Sequence, residues 1–307
     1  MLPVYFAPLQ GYTDHIYRQI HARIAGGVEA YFTPFVRWEK GVRNKDLRDI
    51  QPSRCEGVAT IPQVIARNRD EFALLCDMVQ ELGWTRIDLN MGCPFPMQTH
   101  AERGSGLLLH ADIVEDIFRE MERRPEVEFS VKMRIGLNDE SEGLALVPLL
   151  NQSPVASVCI HPRTGIQQYK GRPSMESFAL FYQEISKPIL FNGDILTVSQ
   201  IDELEETFPN LKGVMIGRGL LARPLLAREY REGIPCSDAE HRSAMVEMHR
   251  LMFQYCEQNL QGDSQILSRM RAFWQYQEPM LDRKIFKRIM KCGNLRNYLA
   301  AVEELAK

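Results

Sequence analysis

The feature that most constrains the fold is an alternation of short β-rich runs with longer segments of helical periodicity. Eight runs rich in β-branched and aromatic residues cover residues 3–8, 30–36, 60–65, 86–90, 129–135, 157–163, 188–194 and 213–219. Most of the intervening segments, such as residues 70–82, carry apolar residues at the 3.6-residue spacing of a covering helix. Eight strand–helix units predict an α/β protein with a parallel (β/α)₈ TIM barrel. A doubly wound open sheet is the alternative, because two of the runs, 30–36 and 60–65, are weak.

The pattern changes near residue 235. Residues 231–241 combine Gly, Pro and charged residues, as a linker does, and no strand-like run follows them. The remaining segment has the apolar spacing of three or four amphipathic helices, enough for a small bundle packed on the barrel. We therefore predict a catalytic barrel domain over residues 1–235 and a C-terminal helical bundle over residues 241–307.

Cysteine usage and the absence of long apolar runs indicate the cellular compartment of the protein. The seven cysteines contain no CxxC pair and no metal-ligand spacing, so we expect reduced thiols and no metal site. The first ten residues have no basic leader, and no apolar run approaches the roughly 20 residues of a membrane helix. We expect a cytoplasmic protein with no membrane association, no protein partner and a monomeric state.

Charge is unevenly distributed along the chain. The net charge is −3, which gives no overall attraction to nucleic acid. Residues 269–296, however, contain eight basic residues against two acidic ones, Glu278 and Asp282. Lys284, Lys287 or Arg288, and Lys291 recur at helical spacing and share one face. This basic segment predicts contacts with phosphates, whereas its aromatic residues Phe273, Trp274 and Tyr276 are expected in the core.

Polar residues collect where the predicted strands end. In parallel barrels the loops after the strands converge on one mouth, and chemistry is placed there. The residues at these positions are Gln10, Gln63, Asn90, Cys93, Lys132, Arg134, His161, Arg163, Asn192, Asp194 and Arg218. The sequence therefore predicts a polar site at the mouth of the barrel.

Two of these positions indicate an anionic ligand. Lys132 lies between Val131 and Met133 in a core strand, where an ammonium needs a partner to offset its desolvation. The last two strand ends carry Gly193 and Gly217, and glycines beside an arginine at these loops are typical of a phosphate cradle. We expect a phosphorylated ligand.

The stretch LNMGCPFP, residues 89–96, places a cysteine on the loop after a strand. Cys93, stiffened by Pro94, is either a buried spacer or a working thiol, and its own surroundings in the sequence do not decide between them.

Six ordered stretches decide between these alternatives. They are APLQGYTD (7–14), LNMGCPFP (89–96), SVKMRIG (130–136), IHPRTGIQQYKG (160–171), LFNGDI (190–195) and VMIGRGLL (214–221). In order and spacing they resemble the motifs of the tRNA-dihydrouridine synthase family, of the bacterial type, over nearly the whole barrel. The sequence departs from the family at Pro96, where many members have a lysine, and at Pro162, where a small residue is usual.

The resemblance implies an FMN-dependent oxidoreductase that uses NADPH to reduce the C5–C6 double bond of particular uridines in tRNA. By motif, the flavin would contact Pro8, Leu9, Gln10, Gln63, Lys132 and His161, and its phosphate would contact Asn192, Gly193, Asp194, Gly217 and Arg218. Cys93 would donate the proton. Asn90, Arg134 and Arg163 would lie near the substrate base, and Arg271, Lys284, Lys287, Arg288 and Lys291 would bind the rest of the tRNA.

Two other functions are compatible with these motifs. An FMN-dependent barrel oxidoreductase acting on a small free pyrimidine or enone would not need the basic segment. A tRNA-binding protein that has lost catalysis would not need Cys93 and Lys132. The sequence alone does not indicate which uridine is modified.

Overall fold

The computed structural model describes residues 1–306 and contains one sheet in which every pairing is parallel. Its strands are β1 (Val4–Phe6), β2 (Ala30–Phe32), β3 (Val36–Arg37), β4 (Thr60–Ile61), β5 (Gln63–Ile65), β6 (Arg86–Met91), β7 (Glu128–Gly136), β8 (Ser157–Thr164), β9 (Ile189–Asn192) and β10 (Val214–Ile216).

The ten segments form eight barrel strands because prolines interrupt two of them. Pro34 lies between β2 and β3, and Pro62 lies between β4 and β5; proline has no N–H to donate to a neighbouring strand. The broken strands stay adjacent, since β2 pairs with β4 and β3 pairs with β5. At the other side β10 pairs with β1. The ring therefore closes, and the predicted TIM barrel is confirmed. The weak pattern of runs 30–36 and 60–65 reflects these breaks.

Helices cover the outside of the barrel and form the C-terminal region. They are α1 (His15–Ile24), α2 (Asn44–Ile50), α3 (Arg69–Glu81), α4 (Pro96–Thr99), α5 (Ala111–Glu122), α6 (Glu140–Leu144), α7 (Val147–Gln152), α8 (Met175–Glu184), α9 (Val198–Thr207), α10 (Arg218–Ala222), α11 (Leu226–Glu232), α12 (Asp238–Asn259), α13 (Asp263–Trp274), α14 (Arg283–Lys291) and α15 (Leu295–Glu303). Short 3₁₀ turns lie at Pro52–Arg54, Gly104–Leu109, Glu278–Met280 and Glu304–Ala306.

The two faces of the strands bury different sets of residues. A large apolar cluster fills the space between the strands and the covering helices. A smaller one, which includes Phe32, Cys159 and Met215, fills part of the barrel interior. Because both faces are covered, the strands read as nearly continuous apolar runs, and the polar residues within them stand out in the sequence.

A capping box starts the C-terminal helical region. The Ser237 hydroxyl accepts a hydrogen bond from the Glu240 backbone N–H, and the Glu240 carboxylate accepts one from the Ser237 N–H. Within this region the Tyr298 hydroxyl accepts from Trp274 Nε1 at 2.8 Å and lies 2.6 Å from His249 Nε2. These buried side chains join α12, α13 and α15 into one bundle.

The bundle is fixed to the barrel beside the loop that follows β1. Arg269 on α13 pairs with Asp14 at 2.8 Å and donates to the Gly11 carbonyl at 3.1 Å. Tyr12 donates to Gln275 at 2.7 Å. Since loops after strands lie at the mouth, these contacts bring the end of α13 to the rim of the barrel. Across residues 1–306, we find no helix with the length and apolar character needed to cross a membrane.

Candidate active site

A cleft of about 390 Å³ opens at the carboxyl ends of the strands. Of the residues singled out in the sequence, the cleft is lined by Pro8, Leu9, Gln10, Asn90, Cys93, Lys132, Arg134, His161, Asn192, Gly193, Asp194, Gly217 and Arg218. They come from the ends of β1, β6, β7, β8, β9 and β10 and from the loops that follow. Lys132 and Arg218 thus face one common space.

Two expected contact residues lie behind the wall of the cleft. Gln63 and Arg163 are fully buried and do not line it. The Gln63 amide is held between Asp88 and Asn90. Arg163 pairs with Asp194 and donates to the Gly171 carbonyl at 2.7 Å. Both side chains therefore hold other residues of the site in place.

The basic residues of the C-terminal bundle lie outside the cleft. Arg271, on α13, donates to the carbonyl of Cys292 at the end of α14. Its side chain therefore makes a structural contact within the bundle. Lys284, Lys287 and Lys291 are exposed on α14. Arg288, also exposed, pairs with Glu304 at 2.5 Å. The exposed cations of α14 are therefore the part of the expected RNA-binding set that solvent can reach.

The backbone of Cys93 is held from two sides. Asn90 Oδ1 accepts from the N–H of Gly92 at 3.0 Å and from the N–H of Cys93 at 2.9 Å. The Cys93 carbonyl accepts from the Ser105 N–H at 3.0 Å and from the Ser105 hydroxyl at 3.1 Å. Gly104 has φ +60°, and a Cβ there would lie 2.6 Å from the Cys93 oxygen, so only glycine allows this approach. The clamp fixes where the thiol is placed.

Burial determines the protonation state of Cys93. The residue is only 8% exposed. Desolvation raises the pKa of its thiol, and the neighbouring Phe95 N–H and the charges of Arg134 and Lys132 offset this only in part. Cys93 therefore carries its proton at neutral pH, as a proton donor must.

Lys132 is a half-buried cation at the surface of the cleft. Burial is the main cause that lowers the pKa of its ammonium, and Arg134 adds to the effect. The charge of Asp88 acts in the opposite direction, but within residues 1–306 no carboxylate forms an ion pair with Lys132 within 4 Å. An ammonium in this position is suited to an anionic or electron-rich group bound in the cleft.

His161 is neutral, and its tautomer follows from its two neighbours. Its Nε2 lies 3.2 Å from Arg163 NH1, which only donates, so Nε2 accepts. Nδ1 therefore carries the proton and donates to Asn192 Oδ1 at 3.0 Å. Burial, followed by the charges of Lys132 and Arg134, holds the pKa of His161 well below its usual range. The ring is a fixed polar wall of the cleft rather than a second cation.

Asp194 organises the arginines at the far side of the cleft. Its carboxylate pairs with Arg163 and with Arg218, the latter at 2.5 Å. Burial alone would raise the pKa of Asp194, but these hydrogen bonds and charges lower it. Two arginines and one carboxylate leave this corner net positive. The Arg218 guanidinium also lies 4.7 Å from the centre of the Tyr169 ring.

The loops after β9 and β10 approach each other closely. A Cβ on Gly219 would lie 2.0 Å from the Ile195 carbonyl oxygen, so a larger residue would separate the two loops. These are the loops that carry Gly193, Asp194, Gly217 and Arg218.

Sequence reasoning missed several residues of the cleft. Phe35, Tyr169, Tyr276 and Pro279 line it, and none was singled out as a site residue. Tyr169 lies in the quoted motif of residues 160–171, which was the available signal. Tyr276, which was expected in the core, is only partly buried: it packs against the core and also lines the cleft. Phe273 and Trp274 are buried as expected, but Tyr276 reaches the rim, where its ring lies 5.0 Å from that of Tyr12.

Comparison with known proteins settles the family. A family model described as dihydrouridine synthase matches residues 5–306. The chain belongs to this family. The motif resemblance found in the sequence is thereby confirmed.

The dihydrouridine synthase chain has relatives that match over most of their length. A tRNA-dihydrouridine synthase B from Pseudomonas aeruginosa is 31% identical over 257 residues, which cover 81% of this chain and 75% of that protein. A tRNA-dihydrouridine(16) synthase from Neisseria meningitidis serogroup B is 25% identical over 98% of this chain and 94% of that protein. Among solved structures, the old yellow enzyme from Trypanosoma cruzi has a TM-score of 0.54 at 8% identity, covering 76% of this chain and 89% of that one. This last likeness shows the barrel fold alone.

The buried thiol generates a prediction about pH. The rate at which iodoacetamide alkylates Cys93 should keep rising above pH 9, because the raised pKa delays formation of the reactive thiolate beyond the usual value near 8.5. Mass spectrometry of the Cys93 peptide measures this rate. The Cys93→Ser variant, which has no thiol at this position, is the control that assigns the signal to Cys93. A rate that levels off below pH 8.5 would contradict the assigned protonation state.

Proposed function

We propose that this chain is a tRNA-dihydrouridine synthase that reduces the C5–C6 double bond of a uridine in tRNA, with FMN as cofactor and NADPH as reductant. The observation that carries the proposal is the cleft itself: in a chain of this family, a protonated thiol and a half-buried ammonium face the same space. We also propose that the protein acts on tRNA in the cytoplasm as a monomer.

The residues of the cleft fit a phosphorylated flavin. Lys132 would hold the electron-rich edge of the flavin ring, and the ring would in turn give the ammonium a partner in the cleft. Pro8, Leu9 and Gln10 supply the wall beside the ring. When bound and reduced, FMN supplies the hydride that adds to C6 of the uracil.

The net positive corner suits the phosphate. Arg218 supplies a cation, and the N–H groups of the Gly193 and Gly217 loops supply donors. Asp194 repels a phosphate if taken alone, so its role is to orient Arg218 and Arg163 through the ion pairs described above. Asn192 orients His161 on one side and donates to the Met215 carbonyl at 2.6 Å on the other.

The chain itself supplies the proton. Addition of a hydride at C6 leaves negative charge on C5 and the adjacent carbonyl, and the Cys93 S–H bond breaks as its proton passes to C5. The resulting thiolate regains a proton from water before the next turnover. Asn90 and Arg134 border the position of the base, where Arg134 donates to the Gly92 carbonyl at 3.0 Å and stiffens the Cys93 loop further.

The rest of the tRNA requires a second surface. A uridine must leave its stack to enter the cleft, and the surrounding RNA must be held while it does so. The exposed cations of α14 are placed for phosphate contacts on a bundle that reaches the rim through Tyr276 and Pro279.

The function is tested with purified protein, NADPH and tRNA lacking dihydrouridine, with dihydrouridine measured by mass spectrometry. The wild type should form it, and Cys93→Ala should bind FMN normally but react about 10²- to 10⁴-fold more slowly, the usual loss when a general acid is removed. Cys236→Ala, a half-exposed cysteine outside the cleft, is the matched control. Turnover of free uracil or an enone with no reaction on tRNA would instead support a small-molecule oxidoreductase.

Removal of α14 charge should weaken RNA binding without affecting the flavin. We expect Lys284→Ala/Lys287→Ala to raise KM for tRNA and to reduce the slope of log KM against log salt, since each lost phosphate contact lowers that slope by roughly 0.7–0.9. The control is Lys187→Ala/Lys212→Ala, which removes two lysines that precede β9 and β10 at the opposite end of the barrel. Equal effects of the two double variants on KM and on its salt dependence would show that α14 is not part of the RNA-binding surface.

A further inference from the structure

A carboxylate lies inside the barrel below the cleft, where it touches neither solvent nor the cleft surface. Asp88, on β6, is 1% exposed. Its Oδ1 accepts from the Ser130 hydroxyl at 2.6 Å, and its Oδ2 accepts from Gln63 Nε2 at 2.6 Å. Burial raises the pKa of this carboxyl to about 7. A buried carboxylate is costly to maintain, and the reaction described above does not use it directly.

Asp88 begins a chain of hydrogen bonds that ends at Cys93. Gln63 donates to Asp88 with its Nε2, which leaves its Oε1 to accept from Asn90 Nδ2 at 2.8 Å. The amide of Asn90 is thereby turned so that its Oδ1 faces the N–H groups of Gly92 and Cys93. The two ends agree in polarity, because Asp88 offers acceptors and the two backbone N–H groups are donors.

We propose that Asp88 is a positioning residue: through Gln63 and Asn90 it fixes the orientation of the amide that holds the Cys93 loop. Without an acceptor at position 88, the Gln63 amide is free to turn over. The Asn90 amide then loses the partner that keeps its oxygen toward Cys93, and an inverted Asn90 would present N–H groups to N–H groups. The Cys93 loop would lose one of its two clamps.

The contributions of the acceptor atoms and of the charge of Asp88 can be separated by substitution. Asp88→Asn retains an oxygen for Gln63, and its Nδ2 can donate to the Ser130 hydroxyl, which also accepts. This variant keeps the polarity of the hydrogen-bond chain and removes the carboxylate charge, which interacts with that of Lys132. Asp88→Leu is close in size and removes both acceptors. Gln63→Met removes the next link and leaves Asp88 in place.

The test compares these three variants with the wild type by two measurements. One is the rate of Cys93 alkylation by iodoacetamide at pH 8, read from the Cys93 peptide. The other is kcat and KM for tRNA. Asp116→Leu, an exposed position on α5 outside the barrel, is the matched control for an Asp→Leu change.

Asp88→Leu and Gln63→Met should be alkylated about tenfold faster, since a loosened thiol is better solvated and a fall of one pKa unit raises its thiolate fraction about tenfold. Their kcat should fall about 10²-fold, the loss typical of a misplaced catalytic group, with KM within about twofold of the wild type. Asp88→Asn should remain within about threefold of the wild type in both measurements.

Normal alkylation and normal kcat in Asp88→Leu and Gln63→Met would overturn the positioning role. Equal losses in Asp88→Asn and Asp88→Leu would also overturn it, because the charge and not the acceptor atoms would then be responsible. If Asp88→Leu does not fold, Gln63→Met carries the same expectation. The role in catalysis rests on the proposed function, but the alkylation comparison does not. A wild type that forms no dihydrouridine would refute the function and leave the positioning role open to test by alkylation.

Discussion

The ammonium of Lys132 lies half-buried at the surface of the cleft, and within residues 1–306 it forms no ion pair with a carboxylate within 4 Å. Partial burial of a cation costs free energy, and the charge of Asp88 and a group bound in the cleft can both offset this cost. The rest of the site is arranged around this demand. His161 is kept neutral beside it, and the second positive region, at Arg218 and Arg163, lies on the same cleft with Asp194 between its two arginines. The phosphorylated flavin that we propose as cofactor would satisfy both regions at once.

The thiol of Cys93 depends on a different kind of constraint. A proton donor needs a protonated state and a fixed position. Burial keeps the thiol protonated, and hydrogen bonds to the backbone N–H and carbonyl of Cys93 fix its position. These bonds extend through Asn90 and Gln63 into the barrel interior at Asp88. A residue on a loop thereby gains the rigidity of the strands below it, which accurate proton transfer requires.

The barrel could be predicted from the sequence because covered parallel strands produce apolar runs that alternate with amphipathic helices. The breaks at Pro34 and Pro62 weakened two of those runs, and only the pairing of the four short segments shows that each pair forms one barrel strand. The positions of polar residues at strand ends predicted that Lys132, Cys93 and Arg218 share one site, and all three line the same cleft.

Other features depend on long-range packing that a local pattern does not encode. Tyr276 reaches the cleft because Arg269 and Gln275 attach the bundle beside the first barrel loop. Arg271, placed by its charge among RNA-binding residues, is directed to a carbonyl inside the bundle. Asp88 was overlooked because it lies within an apolar run, one layer below the residues that face the cleft.

The central claim of the proposed function is that the half-buried ammonium of Lys132 contacts the flavin. Its most direct test is titration of flavin-free protein with FMN, comparing Lys132→Met with the wild type and with Lys212→Met at the far end of the barrel. A lost hydrogen bond to a charged group is worth about 1.5–3 kcal/mol, so Kd for FMN should rise roughly 10- to 150-fold in Lys132→Met and should not change in Lys212→Met. Unchanged FMN affinity in Lys132→Met would contradict the account.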